Sequence, residues 1–496
     1  MKTIIITLFL AFLNLSCKKP QNEGPDPKIP QKSIITVDVQ REIKALHGNE
    51  VGINLNYLMD DAYLSGMTYH STVNSLKETG VKILRYPGGE KSDNYFFSTP
   101  PYDKAKPVAA YCNWPATESR FFNNDLTAKS LVLDFDEYMT VCQQLEATPL
   151  VVVTYDAMYS TSTCGTKPTR NELLKNAMEW VRYANIKNSY NVKLWMIGNE
   201  SWNDPGYNGK VTPQQYAQDI AQFADSMRKV DPSIKIVANG RNDWWQTLLQ
   251  SNASSKIDFL ALSNYLPWKV ITSYETFATG ASDVILETND AIGAIRKYAK
   301  EPDKNRIKVI LAEYSSTDWS KGWPSINNLG HALANFQQLA DAITKPEVYA
   351  ACLWNTRWVD NASNSYYLND AFDATGKLNA SGKVLSVLGK NILKLVVEAN
   401  SSSNTINAYA MYDKDKNFLN IFLLNKNKAE QEIDLKISNY LSNYEYQLWH
   451  FKGTGIDDKD PLWGKEGSLN KGSAGPTFVL PSNSVTMIQI KGAGKF

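Results

Sequence analysis

From about Leu46 to Asp373 the chain alternates eight short, nearly unbroken apolar runs with longer amphipathic segments, and few architectures accommodate that pattern. The runs are 51–54, 82–86, 150–154, 194–197, 235–238, 259–263, 308–312 and 350–354. A strand that is apolar at every position has no solvent face, so it belongs in a parallel sheet covered on both sides. Helical periodicity marks 71–79, 134–145, 170–187, 212–229, 283–300 and 329–343, with Asp134 and Thr212 as N-caps. Eight strands alternating with helices over roughly 330 residues predict an α/β fold, a (β/α)8 barrel with long loops, assigned to residues 45–375. A doubly wound open sheet is the alternative, but it usually carries fewer strands and the chain has no phosphate-binding glycine fingerprint.

Beyond residue 376 the texture changes. Helical periodicity continues over 383–398, then short alternating runs follow at 405–411, 418–424, 432–437, 445–451, 477–480 and 484–490, separated by Gly, Asn, Lys and Ser. This pattern predicts an antiparallel β-sandwich over 376–496. An early strand within 33–44 is expected to join that sheet. Two domains suit a chain of 496 residues.

The first 17 residues read as an export signal: a lysine at position 2, an apolar run from Ile4 to Leu13, then Asn14-Leu15-Ser16-Cys17. The run is too short to span a bilayer. Leu15-Ser16-Cys17 at its end resembles the bacterial lipobox, which implies a lipidated Cys17, a flexible tether over 18–32, and a protein anchored to the cell envelope. In an exported protein Cys112 and Cys164, both in polar turn-rich stretches, are candidates for a disulfide, whereas Cys142 and Cys352 read as buried thiols. Four scattered histidines argue against a zinc site, and a net charge of +1 without a basic run argues against nucleic acid as partner.

In such a barrel the active site lies at the C-terminal strand ends. Two ends carry glutamate: the fourth strand runs into Gly198-Asn199-Glu200-Ser201-Trp202 and the seventh into Glu313-Tyr314. Strand-end carboxylates commonly cap helices or pair with arginine, so either glutamate alone is weak. A pair at matching ends suits glycosidic bond cleavage, which needs a proton for the leaving oxygen and a nucleophile or base for the oxocarbenium-like centre. Carboxyls about 5–5.5 Å apart give retention and about 6.5–9.5 Å inversion. Two close anions cannot both ionise easily, so one stays protonated as the acid. The 13 Trp and 26 Tyr fill cores and also supply stacking faces for sugars.

Trp195-x-x-Gly198-Asn199-Glu200 resembles the acid/base signature of retaining glycosidases with catalytic glutamates on barrel strands four and seven. Arg85-Tyr86-Pro87-Gly88-Gly89 is similar to the Arg-Trp/Tyr-Pro-Gly-Gly segment of the α-L-arabinofuranosidase family within that clan, and Asn264-Tyr265 stands where that family has His-Tyr. The resemblance spans about residues 34–491. It implies Glu200 as acid/base, Glu313 as nucleophile, Asn199 as hydrogen-bond partner of the sugar 2-hydroxyl, Arg85 as a cation beside Glu313, and Tyr265 as a donor to the nucleophile. Trp354 is implied as a stacking floor, with a core tryptophan as the plain alternative; Trp202, Trp268 and Trp358 are further cleft candidates. Two departures touch the sugar subsite: Asn54 in place of an acidic residue soon after the first strand, and Asn264 in place of histidine.

These features predict a retaining glycoside hydrolase acting on a polysaccharide or its oligosaccharides, α-L-arabinofuranosidase-like, with no metal or organic cofactor. An endo-β-glycanase of the same clan and a non-catalytic surface glycan-binding lipoprotein are the alternatives.

Overall fold

The structure, a computed structural model, describes residues 32–58, 60, 71–101, 108–109, 132–159, 167–203, 211–267, 269–316, 322–324, 326–357, 370–373, 375–440, 442–470 and 477–492. All eight expected strands form and close into one parallel barrel. In chain order they are Val51–Asn54, Ile83–Tyr86, Thr148–Val153, Leu194–Ile197, Lys235–Asn239, Phe259–Tyr265, Lys308–Ser315 and Val348–Leu353, the last pairing back onto the first.

Alternation along the strands separates two cores. Ile83, Leu150, Val152, Met196, Val237, Ala261, Ile310 and Cys352 fill the lumen. Leu84, Val151, Val153, Trp195, Ile236, Leu260 and Leu311 face the surrounding helices. This double burial explains the unbroken apolar runs. The helices start where side chains satisfy free N–H groups. Asp134 accepts from the Glu137 N–H in a capping box with Phe135–Leu145, and Thr212 accepts from Gln215 N to start Pro213–Val230. A helix the periodicity did not reveal, Asp243–Gln250, follows the fifth strand.

The seventh strand departs from the expected pattern. It runs on to Ser315, so Glu313 lies within it rather than after it. Its register against the sixth strand shifts between Leu311 and Glu313. Ala312 packs in the lumen while Tyr314 joins the outer core, and the extra residue lets Glu313 share the inward side. A β-bulge re-aims a side chain in this way, and one at a barrel rim serves a site.

Ala380–Gly389 is the barrel's last helix. Its buried face, including Val384, Leu385 and Leu388, belongs to the barrel's outer core. The domain boundary therefore falls after Gly389, not at 375. The helical reading of 383–398 fails beyond this point because Leu395–Ser401 is a strand, β-branched at Val396 and Val397.

The second domain is a nine-stranded sheet. It is antiparallel except at Ser33–Ala45, which pairs antiparallel with Leu395–Ser401 and parallel with Gln431–Ser438. The sheet curls over itself, bringing Tyr446 and Phe478 from distant strands to a ring separation of 5.6 Å. Its strand Leu462–Asn470 was not foreseen. The two domains share hydrogen bonds: Leu329 N and Gly330 N donate to Asp458 O and Ile456 O, each at 2.8 Å. Carbonyls of the sheet domain thus satisfy the first turn of the barrel helix Leu329–Ile343.

Candidate active site

Five strand ends deliver one connected polar cluster. Arg85, from the second strand, is wholly buried and holds it together. Its Nη1 donates to Glu313 Oε1 at 2.8 Å and to Asn54 Oδ1 at 2.7 Å, and its Nη2 to Asn199 Oδ1 at 2.5 Å. Tyr265, from the sixth strand, donates its hydroxyl to Glu313 Oε2 at 2.8 Å. Both oxygens of Glu313 are therefore held by a donor, in a position only 4% exposed. Burying a carboxylate is costly unless it is paired and hydrogen-bonded, and both conditions are met here.

Glu200 occupies the turn after the fourth strand with φ at 44°, a left-handed conformation that a non-glycine residue adopts at a cost. Neighbours hold the turn. Gly198 N donates to Val153 O at 3.0 Å, and Ser201 N donates to Asn239 Oδ1 at 2.8 Å. Gly198 itself has φ 71°, and a Cβ there would lie 2.7 Å from both Asp156 Oδ2 and Ser201 Oγ. Burial and then the nearby charge of Glu313 push the Glu200 carboxyl up to about 7, against the opposing influence of Ser263, Arg85 and Asn203. The two carboxyls thus diverge in environment: Glu313 is gripped by a cation and a phenol, while Glu200 is placed to hold a proton.

Gly89 closes one side of the cluster. A Cβ on it would stand 2.5 Å from Trp354 Cη2 and 2.7 Å from Glu313 Oε1, so only glycine lets the backbone pass between ring and carboxylate. Trp354, 8% exposed, lies against this backbone beside Glu313. Trp202 is partly buried at the rim with the Arg241 guanidinium 5.0 Å over its ring.

Asn54 spends its side chain within the protein. It is wholly buried; besides accepting from Arg85, its Nδ2 donates to Ala312 O at 2.8 Å and Leu353 O at 3.2 Å. Asn264 also lies away from the mouth, because alternation turns it outward. Its Nδ2 donates to Val284 O at 2.9 Å and Gln338 Oε1 at 3.1 Å, and its Oδ1 accepts from Thr288. The carboxylate soon after the first strand is Asp60, fully buried and bound by Arg357 Nη2 at 3.0 Å. Ser263 was missed. It shares the inward side with Tyr265, pairs in register with Glu313, and hydrogen-bonds Glu200. Period-two alternation counted back from Tyr265 points to it. Cys142 and Cys352 are free, buried thiols. Cys17, Cys112, Cys164, Trp268 and Trp358 lie outside the described residues.

Known proteins resemble the chain in sequence and in fold. The family model described as alpha-L-arabinofuranosidase 1 domain matches residues 75–265. The chain is 28% identical over 185 residues to the probable alpha-L-arabinofuranosidase C of Aspergillus fumigatus, covering 34% of this chain and 31% of that one. It is 24% identical over 277 residues to the intracellular exo-alpha-(1->5)-L-arabinofuranosidase of Acetivibrio thermocellus, covering 52% and 50%. The chain thus spans half or less of the length of these curated relatives. The fold matches the alpha-L-arabinofuranosidase of Thermotoga maritima, solved as an arabinose complex, with a TM-score of 0.70 at 17% identity over 92% of this chain and 99% of that one. By sequence across residues 75–265 and by fold across nearly its whole length, the protein is arabinofuranosidase-like.

Proposed function

We propose that the protein is a retaining glycoside hydrolase that releases arabinofuranosyl units from an arabinose-containing glycan. The observation that carries this reading is the asymmetry of the carboxyl pair: Glu313 is held at both oxygens by Arg85 and Tyr265, and Glu200 is lifted to about 7. Glu313 attacks the anomeric carbon while Glu200 gives its proton to the departing oxygen, leaving a glycosyl-enzyme ester. Glu200, now a carboxylate, takes a proton from water, and the resulting nucleophile cleaves the ester with net retention. Asn199, its Oδ1 fixed by Arg85, presents Nδ2 as the donor to the sugar 2-hydroxyl. Trp354 is the floor against which the sugar ring rests.

The curated relatives support arabinofuranosides as the substrate class. The test is hydrolysis of an aryl α-L-arabinofuranoside followed by NMR of the first-formed anomer. Retention with loss of activity in both Glu200→Gln and Glu313→Gln is expected; inversion, or full activity in either variant, overturns the assignment.

The export signal and Leu15-Ser16-Cys17 support an enzyme lipid-anchored at Cys17 to the bacterial envelope. Labelled fatty acid is expected to enter the parent and not Cys17→Ser; equal labelling overturns the anchor.

A further inference from the structure

Behind the Gly198–Ser201 turn lies a second pair of carboxyls to which the proposed chemistry gives no task. Asp93 and Asp156 come from the segments after the second and third barrel strands, and are 2% and 0% exposed. Among the described residues no donor reaches either Asp93 oxygen or Asp156 Oδ1. The two side chains hydrogen-bond each other. Carboxylates are acceptors only, so a hydrogen bond between two of them requires a proton in between. Asp156 is the acceptor of the pair: its Oδ2 also receives the Asn199 N–H at 3.1 Å, and the Ser201 side chain hydrogen-bonds it. Asp93 has no such donors among the described residues and is the protonated member.

We propose that Asp93 and Asp156 form a one-proton carboxyl pair whose single negative charge, fixed behind the Asn199-Glu200 turn, positions that turn and helps keep Glu200 protonated. This role rests on the reading of Glu200 as acid/base. The pair faces the carboxyls of Glu90 and Glu200 from the Asp93 side and the phenols of Tyr155 and Tyr216 from the Asp156 side. The Lys91 ammonium nearby binds Glu90 at 3.1 Å. Burial and mutual repulsion hold Asp93 well above the ordinary carboxyl range, and burial lifts Asp156 to about 7, so above that pH the pair keeps one proton and one charge. Asp93 and Asp156 are positioning residues, because they act through the turn and its charge.

Two isosteric variants separate charge from shape. Asp93→Asn replaces the shared proton by an amide donor and keeps one charge on Asp156. Asp93→Asn/Asp156→Asn keeps the shape and removes the charge. In the full chain, Asp93→Asn is expected to retain the basic limb of kcat/KM against pH, whereas the double variant moves it down by about half a pH unit or more. The titration of Glu200 followed by NMR of 13C-labelled glutamate carboxyls, assigned with Glu200→Gln, is expected to move in the same way without any substrate. Infrared difference spectra taken well above pH 7 should show a protonated-carboxyl stretch that persists in Glu200→Gln and that Asp93→Asn removes. Failure of the parent to hydrolyse glycosides would sink the proposed function while leaving both spectroscopic measurements valid. The carboxyl pair is overturned if Asp93→Asn removes no such band, or if Glu200 titrates identically in the folded double variant and the parent.

Discussion

Asn54 Nδ2 donates to the carbonyl of Ala312 at 2.8 Å, so the first barrel strand grips the seventh at the residue before Glu313. The same side chain accepts from Arg85 Nη1, whose other bond goes to Glu313 Oε1. One amide therefore sets both the backbone bulge that aims the proposed nucleophile and the cation that holds it. Asn54→Ala is expected to lose about 2–4 kcal/mol of stability, since it strands buried donors and acceptors. It should lower kcat with little change in KM. Thermal denaturation and steady-state kinetics check both, and an altered KM with an unchanged melting temperature would instead mark a sugar contact.

The raised carboxyl of Glu200 predicts a pH dependence with a definite sign. Its value in the fold, about 7, exceeds the ordinary 4.5, so the folded state binds the proton more tightly than the unfolded chain does. The stability contributed by that proton is complete below 4.5 and is lost as pH rises through about 7. Glu200→Gln removes this loss, so its melting temperature should exceed the parent's at pH 8 and converge with it in acid. Over the same upper range kcat/KM of the parent should fall, approaching about tenfold per pH unit, as the general acid deprotonates.

Tyr265→Phe removes the hydroxyl that donates to Glu313 Oε2 at 2.8 Å. Hydrogen bonds to charged groups contribute about 1.5–3 kcal/mol, so kcat should drop roughly 10- to 150-fold. Glu313→Gln should lose far more. A mass shift from a trapped mechanism-based glycosyl inhibitor should appear in Tyr265→Phe and not in Glu313→Gln.

Gly89→Ala inserts a Cβ within 2.5–2.7 Å of Trp354 and Glu313 Oε1. Overpacking of this kind costs about 1–3 kcal/mol, and here the strain falls on the site itself. Activity should collapse at a temperature where circular dichroism still shows a folded protein.

Asn264→His is expected to lower the melting temperature and leave sugar preference unchanged. Asn264 bonds Val284, Gln338 and Thr288 on the helix side of the sixth strand, not the barrel mouth. A panel of aryl glycosides reads the preference directly.

The barrel and its carboxyl pair were legible because double burial leaves runs without polar interruption and because strand-end glutamates stand out against them. What could not be read was the parity break at Ala312. A bulge adds no residue type of its own, so Glu313 seemed to follow a strand that in fact continues to Ser315. Asn54 and Asn264 stand at positions that match sugar-binding ones, yet their side chains are spent on backbone carbonyls and, for Asn264, on the neighbouring helices. Ser263 was within reach of simple alternation from Tyr265. The Asp93–Asp156 pair was not, since two loops bring its members together across 63 residues of sequence and no local pattern announces a contact of that span.

The strand Ser33–Ala45 completes its pairing only with segments near the other end of the chain; Ile34 N reaches Ser402 Oγ across 368 residues. The earliest strand therefore finds its first neighbour only when Leu395–Ser401 is present, and its second only with Gln431–Ser438. Closing so long a loop is slow, and until then thirteen residues of sticky edge stay uncovered. A copy that stops before Leu395 has neither partner and one that stops before Gln431 lacks the parallel one, so such a chain keeps that edge open to chaperones and proteases.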